Sequence, residues 1–326
     1  HPIPQKTISK RHFGTFYYLK SDIILHSEMM NSFSMTSSID DILTMKSRER
    51  TSYLYNSCFA HPPLQVDENS SSQQIFIRDD GNSSRMKICR WTFNVVDHFD
   101  FSRKTAVISM NLFDRFMATR GNRCDPDVAL LTAITTIYIA VKLHENKKIR
   151  PCSLSKLSRG QFSSNDIEEM EREILKDLSW LVHPPIAIDF LDSLLTFLPE
   201  EIHDSTKYSI LENARYLTEL SVFDPYFIEH HASTVAFSAI LSVLDDELKA
   251  GHAIPYRVYE TYVLAVEEKV QINSSSPAIL AARQRLQQTL VQQRDEEAYY
   301  SDSSNHDSKR TRIESPASTI CKHFDN

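Results

Sequence analysis

The stretch V-A-L-L-T-A-I-T-T-I-Y-I-A-V at residues 128–141 decides the fold, because its side chains are apolar around nearly the whole circumference of a helix. A helix that is apolar on every face is buried on every face. Pro126 stands just inside the expected start of this helix, a position that proline favours. The stretch therefore predicts a central helix enclosed by other helices.

Apolar side chains recur at helical spacing on both sides of this stretch. Before it, one helix is predicted from Ser84 to Phe99 and a second after Ser102, which suits an N-cap. After it, a short helix is predicted near Leu154, and a fifth opens at Ser163 with the spacing of a capping box. These five helices predict one domain over residues 81–183.

A second helical series follows the stiff connector His183-Pro184-Pro185. It predicts a second five-helix domain over residues 184–295. Its helices are predicted at Ile188–Phe197, Thr206–Val222, His231–Leu244, Tyr256–Val270 and Ala278–Gln293. Two blocks of similar size and order suggest a structural duplication.

Glycine is scarce, at 5 of 326 residues, against a usual share of about 7%. Doubly wound sheets, barrels and phosphate-binding loops need glycine for left-handed turns and close backbone approach. The composition therefore favours an all-α fold of two tandem five-helix domains.

The two ends of the chain differ in composition from these domains. Residues 1–80 and 296–326 contain Ser-, Asn- and Gln-rich or acidic segments and are predicted to be largely disordered, with a short helix near Ser38–Met45. The tail carries the basic cluster Lys309, Arg310 and Arg312, which resembles a nuclear import signal. We therefore expect the protein in the nucleus, the cytoplasm or both.

Charge and cysteine usage narrow the class of function. The formal net charge of −7 argues against direct binding of nucleic acid. The five cysteines are scattered without a CxxC pair, and His230-His231 lacks metal-ligand spacing, so neither a disulfide framework nor a metal site is predicted. The sequence has no uninterrupted run of 18 apolar residues, so no membrane partner is predicted. Without a glycine-rich phosphate loop or a nucleophile elbow, neither a cofactor nor an enzyme activity is expected.

Four motifs in the first block stand in an order and spacing that resemble the cyclin box. They are Arg85 with Trp91, N-L-F-D-R-F at residues 111–116, A-V-K-L-H-E at residues 140–145, and E-M-E-R-E-I-L-K-D-L at residues 169–178. The resemblance covers residues 81–295, with a weaker echo in the second block, and extends to A/B-like cell-cycle cyclins. The stretch W-T-F-N-V-V-D-H-F-D-F-S-R at residues 91–103 is similar to the expanded cyclins of diatoms.

This resemblance implies two tandem cyclin boxes and a regulatory subunit, without catalysis of its own, that binds and activates a cyclin-dependent protein kinase. In the family, the lysine that ends the third helix and a glutamate of the fifth anchor the kinase near its αC helix; here these are Lys142 and Glu171. Arg85 and Asp114 match an ion pair that braces the box, since a guanidinium can bind a carboxylate through two parallel bonds.

The resemblance also implies a patch that recruits kinase substrates through a short Arg-x-Leu motif. Its counterparts here are Ser84, Lys87, Ile88, Trp91, Ala129 and Leu130. Ile88 and Trp91 fit such a patch, whereas Ser84 and Lys87 replace residues that are normally apolar.

Other interpretations stay open at this point. Taken alone, Lys142 is a cation suited to a helix C-terminus and Glu171 a solvated charge. A transcription-related cyclin, or a transcription adaptor built from similar repeats, is the alternative to cell-cycle control. Such an adaptor commonly has a zinc ribbon and basic helix surfaces, which this acidic chain lacks.

Overall fold

The computed structural model describes residues 39–53, 80–120, 125–158, 160–249 and 254–306. Within these residues the chain forms eleven α-helices, two short 3-10 helices and no strand, which confirms the all-α prediction. The helices are α1 (Ile39–Arg50), α2 (Asp80–His98), α3 (Arg103–Arg120), α4 (Pro126–His144), α5 (Pro151–Leu157), α6 (Ser164–Asp177), α7 (Ala187–Leu194), α8 (Asp204–Phe223), α9 (Ala232–Lys249), α10 (Tyr256–Val270) and α11 (Pro277–His306), with 3-10 turns at Leu195–Phe197 and Pro225–Glu229.

Helix α4 is the central helix of the first block. It packs mainly against α3 and α6 and also contacts α2 and α5, and side chains such as Ile134, Ile137 and Ala140 are fully buried. Asp125 caps its start by accepting a hydrogen bond from the N–H of Asp127 at 3.0 Å. In the described part of the chain α4 alone has the length and apolar composition of a membrane-crossing helix, but 56% of its apolar window is buried inside this bundle.

Helix α9 occupies the corresponding place in the second block. It packs against α7, α8 and α11, and Phe237 and Ile240 are fully buried. The two blocks have separate hydrophobic cores. The first core extends past the predicted boundary at residue 183 to Ile186 and Ile188. The exact domain boundaries therefore stay a prediction.

The end of α8 joins the second block to the first. The ring of Phe223 stacks on that of Phe93 with centroids 5.1 Å apart. Arg103, at the start of α3, pairs with the buried carboxylate of Glu219 at 2.9 Å. Burial raises the pKa of Glu219, and the charge of Arg103 opposes that rise. An ion pair and a stacked pair of aromatic rings thus join the two blocks here.

Helix α1 is longer than the segment predicted at Ser38–Met45 and packs on the second block. Ile42 is fully buried in the second core. The ammonium group of Lys46 donates hydrogen bonds to the carbonyl oxygens of Val270 and Gln271, at 2.6 and 2.7 Å. These carbonyls close α10, where a cation is favoured. This part of the predicted disordered extension is therefore ordered helix.

Several predictions lie outside the described residues. The rest of the N-terminal extension, most of the C-terminal tail and the cluster Lys309–Arg312 are among them. Helix α11 continues to His306, past its predicted end at Gln293, so residues 296–306 are helical where disorder was predicted. The rest of the predicted disorder and the nuclear import signal stay predictions.

Candidate functional site

Lys142 and Glu171 lie together on the surface of the first block. Lys142 is in the last turn of α4 and Glu171 is in the middle of α6. The Lys142 Nζ is 2.7 Å from Glu171 Oε1, and the Lys142 side chain is 43% exposed while that of Glu171 is 13% exposed. The ammonium group also lies 4.8 Å from the centre of the Tyr138 ring, within cation–π range.

The electrostatics of this pair favour the charged form of the lysine. Partial burial by itself would lower the pKa of Lys142. The hydrogen bond to Glu171 and its charge, with smaller contributions from Tyr138 and Glu168, outweigh burial, so the pKa of Lys142 is raised. The site therefore presents a held cation beside a largely buried carboxylate.

The end of α4 that carries Lys142 is fixed by neighbouring side chains. Lys148 donates hydrogen bonds from Nζ to the carbonyl oxygens of Lys142 and Glu145, at 2.8 and 2.7 Å. Glu145 Oε1 in turn accepts hydrogen bonds from the N–H of Ser102, at 2.9 Å, and from the hydroxyl of Thr105. Carbonyl groups at the end of α4 and an N–H group at the start of α3, which have no partner within their own helices, thereby gain hydrogen bonds. Sequence reasoning missed the roles of Glu145 and Lys148, although Glu145 closes the A-V-K-L-H-E motif.

Arg85 and Asp114 form a two-bonded ion pair between α2 and α3. Arg85 Nε donates to Asp114 Oδ1 at 2.8 Å and its second nitrogen donates to Oδ2 at 2.7 Å. A further guanidinium nitrogen donates to the carbonyl of Val222 at 2.9 Å. Because Val222 belongs to α8, Arg85 links the two helices of the first block to the second block.

The predicted substrate-docking residues are only partly available at the surface. Ala129 is buried, and the other apolar members, Ile88, Trp91 and Leu130, pack against the first core. Ser84 is half-buried and Lys87 is exposed. The exposed member of the predicted patch is therefore the cation Lys87, where the family resemblance implies an apolar side chain.

Trp180 is an exposed aromatic that sequence reasoning missed. It follows α6 and is 71% exposed. Ser179 and Trp180 both have left-handed backbone angles, with φ of 52° and 60°. The turn is held because the N–H of Trp180 donates to Leu175 O at 2.8 Å. Left-handed angles cost most residues about 1–2 kcal/mol each, and no glycine here signals such a turn.

Leu143, next to Lys142, is a second exposed apolar side chain, at 42%. In the described residues no group of three or more His, Cys, Asp or Glu side chains could hold a metal ion. The surface near Lys142 therefore combines a charged pair with an exposed apolar side chain.

Comparisons with known proteins show what this chain is similar to. Residues 64–183 match the family model for the N-terminal domain of cyclins. The chain is 28% identical to cyclin-D3-2 of Arabidopsis thaliana over 236 residues, which cover 71% of this chain and 59% of the plant protein. It is 26% identical to the G1/S-specific cyclin-E1 of Gallus gallus, covering 48% of this chain and 40% of the chicken protein.

Among solved structures, the chain resembles a viral cyclin from herpesvirus saimiri with a TM-score of 0.51. The two are 17% identical, and the alignment covers 64% of this chain and 86% of the viral one. This likeness concerns the fold.

Proposed function

We propose that this chain, whose residues 64–183 match the N-terminal domain of cyclins, is a cyclin: a regulatory subunit that binds and activates a cyclin-dependent serine/threonine kinase. In an inactive kinase the αC glutamate does not pair with the lysine that holds the ATP phosphates. A subunit that binds the active arrangement more tightly shifts the population towards it. Such a subunit needs a rigid docking surface and no catalytic groups.

The observation that supports this proposal most directly is the surface pair Lys142–Glu171. The two side chains are bonded at 2.7 Å, so both are already oriented. An ammonium group donates to backbone carbonyls and a carboxylate accepts from backbone N–H groups. The pair can therefore serve both kinds of backbone group at the end of a kinase helix, with little side-chain entropy left to lose on binding.

Exposed apolar side chains supply the second part of the proposed docking surface. Leu143 adjoins Lys142 in sequence, and Trp180 projects from the left-handed turn after α6. Strained turns tend to occur at functional sites, and tryptophan is enriched among the residues that contribute most to binding. A kinase surface that covers these groups would remove their apolar area from water.

The proposal extends to cell-cycle control, because three relatives carry G1/S-specific or mitotic-specific names. A transcription-related cyclin, or an adaptor that binds promoter DNA, is the second candidate. The net charge of −7 disfavours the adaptor, since DNA binding relies on neutralising phosphates with basic side chains.

The test is binding to a panel of purified cyclin-dependent kinases, measured by calorimetry and by phosphorylation of histone. The wild-type chain is compared with the double variant Lys142→Ala/Glu171→Ala. Removing both charged side chains should weaken kinase binding by several kcal/mol and reduce kinase activity in parallel. The control is Lys156→Ala/Glu260→Ala, which removes the same two residue types from exposed positions elsewhere. If the wild-type chain binds no kinase in the panel but binds DNA with strong salt dependence, the proposal is wrong and the adaptor replaces it.

A further inference from the structure

Tyr53, three residues after the end of α1, connects three parts of the chain. The guanidinium of Arg48, on α1, lies over its ring at 5.4 Å from the centroid, and that of Arg115, on α3, lies over it at 4.9 Å. Each contact is of cation–π type, which is stronger where water is excluded. Tyr53 is half-buried. The ring therefore joins the end of α1 to a helix of the first block.

The same segment binds the backbone of the connector between the two blocks. The N–H of His183 donates to the Tyr53 hydroxyl oxygen at 3.2 Å, and the His183 carbonyl accepts from Arg48 at 2.6 Å. Arg115 donates to the carbonyl of Leu181 at 2.7 Å. Because the connector is not helical here, these side chains satisfy backbone groups that have no partner within a helix.

His183 also contacts the end of α4. Its ring meets the ring of His144 edge to face, with centroids 5.0 Å apart and planes at 74°. His144 is the last residue of α4 and stands two residues after Lys142. A continuous set of contacts therefore runs from Tyr53 through His183 to the turn that carries the proposed kinase anchor.

We infer that Tyr53 is a positioning residue: together with Arg48 it holds His183 against His144 and so fixes the end of α4 in the orientation that Lys142 needs for docking. The expected effect on kinase binding rests on the proposed function, whereas the claim that Tyr53 fixes the end of α4 concerns this chain alone. Without the hydroxyl and the ring, the connector loses its hydrogen bond to Tyr53, Arg48 and Arg115 lose the ring they lie over, and the last turn of α4 can fray.

The environment of His144 gives this inference a direct readout. Burial lowers the pKa of His144, and the neighbouring His183 and Lys104 lower it further. Asp189 and Glu145 oppose this effect. Lys104 and Asp189 are paired with each other across α3 and α7, a contact that does not involve Tyr53 or His183. Displacement of His183 should therefore raise the pKa of His144 towards its ordinary value.

The experiment uses the full chain without a kinase and compares Tyr53→Phe and Tyr53→Ala with the wild type. The pKa of His144 is measured by NMR titration, and amide hydrogen exchange is measured at residues 141–145. We expect Tyr53→Ala to raise the pKa and to speed exchange there. Tyr53→Phe keeps the ring and loses only the hydroxyl, so it should have a smaller effect of the same sign. Tyr256→Ala, at an exposed tyrosine of α10, is the matched control and should change neither quantity.

Kinase binding then tests the consequence. A residue that acts on a site without touching the ligand typically changes affinity by about 2- to 30-fold, and we expect Tyr53→Ala to fall in that range. Should the alanine variant fail to fold, Tyr53→Phe carries the same measurements. Unchanged titration and exchange at the end of α4 in the folded variants would overturn the inference, whether or not a kinase binds. A wild-type chain that binds no kinase, with the titration shifted as expected, would overturn the proposed function instead and keep the structural step.

Discussion

The carboxylate of Glu49 lies at the N-terminus of α9, where it accepts hydrogen bonds from the N–H of Ser233, at 3.0 Å, and from its hydroxyl. The two residues are 184 positions apart in the chain. The first N–H groups of a helix lack partners within it, so α1 completes α9 from outside. Burial raises the pKa of Glu49, while the hydrogen bonds from Ser233 and the charge of His231 lower it.

Loss of this cap should destabilise the second block. Glu49→Ala leaves the buried N–H and hydroxyl of Ser233 without this acceptor, which costs about 1–3 kcal/mol. Glu49→Gln keeps one acceptor oxygen and removes the cost of burying a charge, so it should lower the free energy of unfolding by less. Urea unfolding followed by circular dichroism measures both. Ser47→Ala, on the exposed side of α1, should change stability by no more than about 0.5 kcal/mol. Equal midpoints for Glu49→Ala and the wild type would mean that the cap contributes nothing.

The contrast between α4 and α1 shows how far sequence reasoning reached. Helix α4 was predictable because an apolar segment on all faces has one physical solution, burial within a bundle. Helix α1 was predicted only as a short segment, because Lys46 and Glu49 look like solvated charges until their partners at Val270 and Ser233 are known. Capping across elements leaves no periodic signal.

Some residues of the candidate site were predictable from the sequence and others were not. The motif spacing brought attention to Lys142 and Glu171, and the two meet at 2.7 Å. Trp180 escaped notice because its exposure depends on a left-handed turn, for which the sequence offers no glycine. Tyr53 escaped notice because its partners lie on α1, α3 and the connector.

The pair Arg85–Asp114 should be important for stability. Both side chains are only 12% exposed, and removing one partner of a largely buried pair typically costs about 3–5 kcal/mol. We expect Arg85→Ala to approach that cost, since it also loses the bond to Val222 O. Arg85→Lys should recover part of the loss, because a lysine supplies the charge without the two-bonded geometry. Thermal unfolding at pH 7 measures this. A lysine variant as stable as the wild type would show that the paired geometry is unimportant.

His144 should contribute a loss of stability on mild acidification. Its pKa is lowered in the folded chain by burial, so the unfolded chain takes up a proton first as the pH drops below about 6.5. Protonation therefore favours unfolding, and stability is lost as the pH falls through that value. We expect the difference in Tm between wild type and His144→Gln to change between pH 7.5 and pH 5.5 in favour of the variant, because the variant lacks the group that takes up the proton on unfolding. His98→Gln, on α2, is the control; an equal effect of both substitutions would contradict the assignment.

Lys142 and Glu171 should act on kinase binding as one unit. Because they contact each other, the effects of single substitutions should not add, with a coupling of about 0.5–3 kcal/mol. Lys142→Ala, Glu171→Gln and the double variant, titrated against the same kinase, give this coupling. Arg85→Lys, which alters a pair elsewhere in the block, should combine additively with Lys142→Ala. Additive effects of Lys142→Ala and Glu171→Gln would mean that the two side chains contribute separately.

Trp180 offers a substitution that should separate binding from folding. Its side chain is 71% exposed and its φ is 60°. Glycine adopts this angle without the Cβ penalty, so Trp180→Gly should leave stability unchanged or raise it by up to about 1 kcal/mol. An interface tryptophan of this kind typically contributes about 2 kcal/mol or more, so kinase affinity should fall roughly thirtyfold. Tyr256→Ala, at another exposed aromatic, should leave affinity unaltered. A stable glycine variant that binds as tightly as the wild type would remove Trp180 from the docking surface and leave the charged pair as its centre.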